Sequence, residues 1–100
     1  MDALAMIGAK ALPAVLQTIE ANSTPIKARQ NAVFVWMEIY KYERPKGVAL
    51  LKQELDRAPE VAVRQQLQWA LAKAVDWCNP SDENSCLKAA KTGLTQEPNR

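Results

Sequence analysis

The segment IKARQNAVFVWMEI that begins at Ile26 returns about 35 residues later as VAVRQQLQWALAKA, beginning at Val61. In that register Arg29 aligns with Arg64, Gln30 with Gln65, Ala32 with Leu67, Phe34 with Trp69 and Trp36 with Leu71. Self-similarity at a period of this size marks a chain built from repeated supersecondary units, here pairs of helices joined by a turn. One such unit cannot bury its apolar face alone and must stack on a neighbour. A repeat therefore constrains the architecture and points to a surface used for binding, while leaving the partner unnamed.

One hundred residues allow a single small domain, read as residues 1–93 with a polar tail over 94–100. Apolar residues make up 48% of the chain, far more than a disordered chain carries, so it is expected to fold. The net charge of +2 comes from thirteen basic and eleven acidic side chains scattered along the whole length. Such a mixture makes no broad field to collect nucleic acid or an anionic membrane. No run approaches the roughly 18 apolar residues needed to span a bilayer, so membrane insertion is not expected. The opening MDALAMIGAKALPAVL has the look of a signal peptide, but Asp2 stands where a basic region belongs and Lys10 interrupts the apolar stretch. It reads as a folded helix.

Five helices are expected. Leu4, Ile7, Ala11, Val15 and Ile19 recur every three or four residues and put one apolar face on a first helix, capped by Asp2 and ending near Asn22. Pro13 lacks an amide hydrogen and crowds the carbonyl of Ala9, so a kink or break is expected around residues 8–12. Thr24 before Pro25 is a helix start, hydroxyl cap first and proline second, for a helix running to about Tyr42. The run Val33 to Met37 fits a buried strand as well as a helix; length and caps favour the helix. Its apolar groups point in nearly all directions, which predicts a central element covered on several sides. Pro45 opens a third helix with Val48, Leu51 and Leu55 inward and Lys52 and Asp56 outward, closed by Arg57 and Ala58. Pro59 opens a fourth with Val63, Leu67, Ala70, Leu71, Ala74 and Cys78 on one face and Gln65, Gln66, Gln68, Lys73 and Asp76 towards water. After Asn79-Pro80-Ser81 a short fifth helix follows, with Ser81 as cap, Asp82 and Glu83 at the positive end of its dipole, and Gly93 as its stop.

The helix-turn-helix units resemble HEAT-like repeats, the family that includes the HEAT-like units of phycobilisome lyases. The features that carry the resemblance are a first helix ending IGAKALPAVLQTIE, a short proline-bearing loop, and a second helix opening with a small or apolar residue and then arginine. The last feature appears as Ala28-Arg29-Gln30 in one unit and Val63-Arg64-Gln65 in the other. An acidic residue ahead of the arginine is present as Glu60 in the second unit, whereas Ser23 and Thr24 stand in the first. The resemblance covers roughly Leu4 to Trp77 and implies an all-α, right-handed stack of two helical hairpins plus a C-terminal helix. It implies that the stems of Arg29 and Arg64 cover core while their guanidinium groups reach a loop carbonyl or carboxylate of the adjacent unit. It also implies a binding groove lined by the second helices, with Gln30, Gln65, Gln68 and Lys73 around an apolar strip. Two units make a short stack, so Met6, Ile7 and Leu16 are expected to leave an apolar surface for self-association.

Cys78 and Cys86 flank a tight turn, close enough for a bridge that would lock the fifth helix onto the stack. A bridge implies an oxidising compartment such as a periplasm or cell exterior. The other reading is two buried thiols in a cytosolic protein; the spacing is far from Cys-x-x-Cys. Histidine is absent, which removes histidine-based acid-base and nucleophile chemistry and leaves two cysteines short of a zinc site. Glu54 and Asp56 lie two apart and face different directions, and the three glycines form no phosphate-cradling loop. Neither an enzyme nor a bound cofactor is expected. Lys41-Tyr42-Glu43-Arg44-Pro45-Lys46 mixes basic and aromatic groups, yet with so small a net charge it reads as a solvated turn and not a nucleic-acid surface. Trp36 and Trp69 fall on packing positions. Trp77 lies off the main apolar face, either as an interface anchor or as a cover for the cysteine turn. These readings converge on a non-catalytic protein-interaction module. The alternative is a disulfide-stapled accessory protein of the cell envelope that acts as a homodimer.

Overall fold

Pro25, Pro45 and Pro59 each lie within two residues of a helix start, where the missing amide hydrogen costs no intrahelical bond. The computed structural model describes the backbone of residues 3–93 and the side chains of residues 10–93. Its elements are α1 (Ala3–Glu20), α2 (Ile26–Ile39), α3 (Arg44–Arg57), α4 (Val61–Asp76), a 3-10 turn (Pro80–Asp82) and α5 (Glu83–Thr92). The described residues are all-α, with no strand among them, and the run Val33 to Met37 is helical. Asp2, the side chains of Leu4, Met6 and Ile7, and the tail 94–100 lie outside the described residues.

Three local expectations need correction. α1 runs unbroken through Pro13, which faces solvent; Leu12, Val15, Leu16 and Ile19 of the same helix pack on the core and offset the one backbone bond that proline removes. Leu16 is half-buried, packed on the core. Pro25 itself occupies the cap position of α2 with extended backbone and no side-chain cap bond, while the Thr24 amide closes the preceding turn on the Ala21 carbonyl at 3.2 Å. Ser81 is likewise inside the 3-10 turn, and Asp82 precedes α5 without a side-chain cap bond.

The core is assembled from Ile19 of α1, Val33, Trp36 and Met37 of α2, Val48, Leu51 and Leu55 of α3, Leu67, Ala70, Leu71 and Ala74 of α4, and Cys86 and Ala89 of α5. α4 touches each of the other four helices and is the central element. α2, expected in that place, packs on α1, α3 and α4 but leaves Phe34 51% and Val35 41% exposed. The two repeated segments therefore do not bury one common face. In the shared register Ala32 and Leu67 are both buried, as are Trp36 and Leu71, but buried Val33 and Met37 correspond to exposed Gln68 and Ala72. At about 100° per residue, the buried face of α4 is turned by roughly 80° from that of α2.

Two close contacts join consecutive elements. The Trp36 indole Nε1 donates to the Gly47 carbonyl at 2.9 Å, and a Cβ on Gly47 would stand 3.1 Å from Tyr40. This contact holds α2 and α3 across the Tyr40–Glu43 turn. At the other end Cys78 and Cys86 form a disulfide with their Cα atoms 6.7 Å apart, tying the end of α4 to α5. By loop-closure entropy such a bridge contributes about 2–3 kcal/mol.

α5 stops at Gly93, whose φ of 74° is the left-handed conformation that helix C-termini favour and side-chain-bearing residues resist. Its amide bonds the Ala89 carbonyl at 2.8 Å, and its own carbonyl accepts from Gln53 Nε2 at 2.7 Å, which docks the end of α5 on α3. Gly93→Ala is expected to cost about 1–2 kcal/mol, read as a lower urea midpoint, because it combines left-handed strain with a Cβ only 3.3 Å from the Lys52 stem.

Candidate functional site

Arg29 is the fourth residue of α2 and Arg64 the fourth of α4. Both side chains reach backward along the chain. Arg29 is 6% exposed, and it donates from Nε to the Ile19 carbonyl at 3.0 Å and from Nη2 to the Ala21 carbonyl at 2.7 Å. These are carbonyls at the C-terminal end of α1, where the helix leaves its last acceptors without partners and the dipole is negative. Arg64 Nη1 donates to the Leu55 and Ala58 carbonyls, each at 3.3 Å, at the corresponding end of α3. The two arginines thus do the same work in the two hairpins. The expected partner was a carbonyl or carboxylate of the adjacent unit; the observed partners belong to the arginine's own hairpin, because a side chain four residues into the second helix lies beside the end of the first. The clamp on Arg29 is the tighter one, being shorter, bidentate through two nitrogens and buried.

The outward sides of α2 and α4 hold the other residues of interest. Gln30, Gln65 and Gln68 are exposed. Lys73 is half-buried, its ammonium 5.8 Å from the centroid of the half-buried Trp69 ring. Gln66, expected in water, is half-buried and donates to Asn22 Oδ1 at 2.9 Å, linking α4 to the α1–α2 loop. Trp77 is not free: its ring meets that of Phe34 edge-on, centroids 5.5 Å apart and planes at 87°. Its carbonyl accepts from Arg44 Nη1 at 2.9 Å, while Arg44 Nη2 stands 3.9 Å from Glu38. So Phe34, Glu38, Arg44 and Trp77 form one cluster where α2, the start of α3 and the end of α4 meet.

Sequence reasoning missed Phe34 as a surface residue. A signal was present, since Phe34 aligns with Trp69 and both are large aromatics that the structure leaves partly exposed on the second helices. Glu20, at the end of α1, has its carboxyl held above the usual carboxylate range, first by burial and then by Glu54. A carboxyl raised in this way contributes stability that is fully present below its unfolded-state value and is lost as pH rises from there through its folded-state value. Tyr40 is likewise raised by burial and by Glu43. Among the described residues no three of Cys, Asp and Glu converge, and no helix is long and apolar enough to cross a membrane. The outward sides of α2 and α4 thus carry exposed amide side chains and part-exposed aromatic rings. No protein-family model, curated protein or solved structure matches the chain.

Proposed function

We propose that this chain is a non-catalytic protein-interaction module, a right-handed HEAT-like stack of two helical hairpins, α1–α2 and α3–α4, closed by α5. The repeated arginine clamp supports the repeat reading, because one residue at one helical position ties off the preceding helix in both units. α5 packs along α3, which fits a terminal helix that closes the stack. The single observation that carries the functional reading is the outward side of α2, where half-exposed Phe34 and Val35 stand beside exposed Gln30 and Phe34 meets the Trp77 ring at the end of α4; the proposed surface extends to exposed Gln65 and Gln68 of α4. Isolated exposed apolar groups are ordinary, whereas a part-exposed aromatic pair such as Phe34 and Trp77 matches the aromatic enrichment of interface cores.

The test places a photo-cross-linking side chain at Gln30, at Gln68 or, as a control on α3, at Arg57, in the native source. A shared cross-linked species from the first two positions, missing from the third and lost on adding Phe34→Asp, is the expected result. Equal labelling from all three positions, or none, contradicts it. The disulfide favours a second reading, a stapled envelope protein that works as a homodimer. In that event the cross-linked species has about twice the 11.1 kDa chain mass and contains this chain alone.

A further inference from the structure

α5 lies close along α3 but buries little large apolar surface there. Its fully buried side chains are Cys86 and Ala89, both small, and its one large apolar residue, Leu87, is 43% exposed. A ten-residue helix is too short to persist unsupported in water. The disulfide ties α5 to the end of α4, and the contacts of α5 with α3 include the bond from Gln53 to the Gly93 carbonyl and the packing of those small groups. The large core residues all come from α1 to α4, so that body keeps its main packing without α5.

We propose that α5 is a redox-releasable cap on α3: reduction of the Cys78–Cys86 bridge frees α5 while α1–α4 stay folded, uncovering the side of α3 around Ala49. The two sulfurs are not equally open to attack. Cys86 is fully buried within α5, whereas Cys78 is half-buried beyond the end of α4. A thiolate of a dithiol reductant therefore bonds to Cys78 Sγ and expels Cys86 as thiolate, which takes up a proton. The reductant's second thiol then displaces Cys78, leaving two cysteine thiols and the reductant oxidised to its own disulfide. In an oxidising compartment the cap is closed; in a reducing one it opens. Ala49 and its neighbours on α3 then become available in the way the end of a repeat stack is open to a further unit.

The test is amide hydrogen exchange on the full chain, oxidised, reduced with excess dithiothreitol, and as Cys78→Ser, which leaves Cys86 in place in the core. After reduction, and in the variant, α5 amides are expected to lose protection by about 30-fold or more while α2 and α4 amides stay at least about tenfold slower than α5. Reoxidation restores α5. Acid quenching in excess monothiol is expected to trap the first mixed disulfide on Cys78. The proposal is overturned by unchanged α5 protection, by resistance of the native chain to reduction, by α5 exchanging together with α2 and α4, or by a first adduct on Cys86.

Discussion

Replacing Arg29 with methionine is expected to lower stability by about 2–4 kcal/mol, read from the urea midpoint at constant m-value. Methionine keeps the aliphatic stem that lies over core, so the loss isolates the guanidinium. Two charge-assisted bonds disappear: the buried Ile19 carbonyl loses its guanidinium donor, and the Ala21 carbonyl is left with the Thr24 amide at 3.2 Å. Arg29→Lys should fall between, because an ammonium is a point donor and cannot span two carbonyls as a planar fork does. Arg64→Met is the internal control. Its bonds are 3.3 Å long and its side chain is exposed, so water replaces much of what is removed and the cost should be about 0.5–1 kcal/mol. Equal losses from the two substitutions would mean that burial does not set the strength of the clamp.

Leu67→Ala is the other large effect, expected at about 3–4 kcal/mol and about 12–25 °C in thermal midpoint. Leu67 has no exposed surface and sits on α4, which packs against the other four helices, so the cavity it leaves has little room to collapse. The neighbouring Gln68→Ala should stay within about 0.5 kcal/mol, since Gln68 faces solvent. Its register partner Val33 is fully buried, so Val33→Ala should cost about 2 kcal/mol. The Val33 and Gln68 pair thus reads out the rotation between the two repeated helices. If both substitutions were silent, or both costly, α2 and α4 would not present different sides to the core.

That rotation marks where sequence reading stopped. On α4 the polar groups Gln65, Gln68 and Asp76 leave a clear apolar stripe, and Leu67, Ala70, Leu71 and Ala74 are buried as the spacing requires. On α2 five consecutive residues from Val33 to Met37 are apolar, which erases the phase of the helix. The run signals burial on several sides; only packing decides that Phe34 and Val35 are the ones left outside. Helix ends were legible where glycine or proline speaks for the backbone, as at Gly93 and Pro45, and less so where a hydroxyl was expected to cap, as at Thr24 and Ser81. The Cys78–Cys86 bridge was legible because eight residues around a turn suffice to close it. The arginines were placed on the right turn of the right helices. Their acceptors were not, since a periodic pattern says which side a residue occupies and not whose carbonyl lies above it.

The most direct test of the two-hairpin construction is amide exchange compared between Arg29→Met and Arg64→Met. If each arginine closes its own hairpin, the first variant loosens the end of α1 and the start of α2, and the second loosens the end of α3 and the start of α4. Loss of protection spread alike over both hairpins in either variant, or confined to the opposite hairpin, would contradict it.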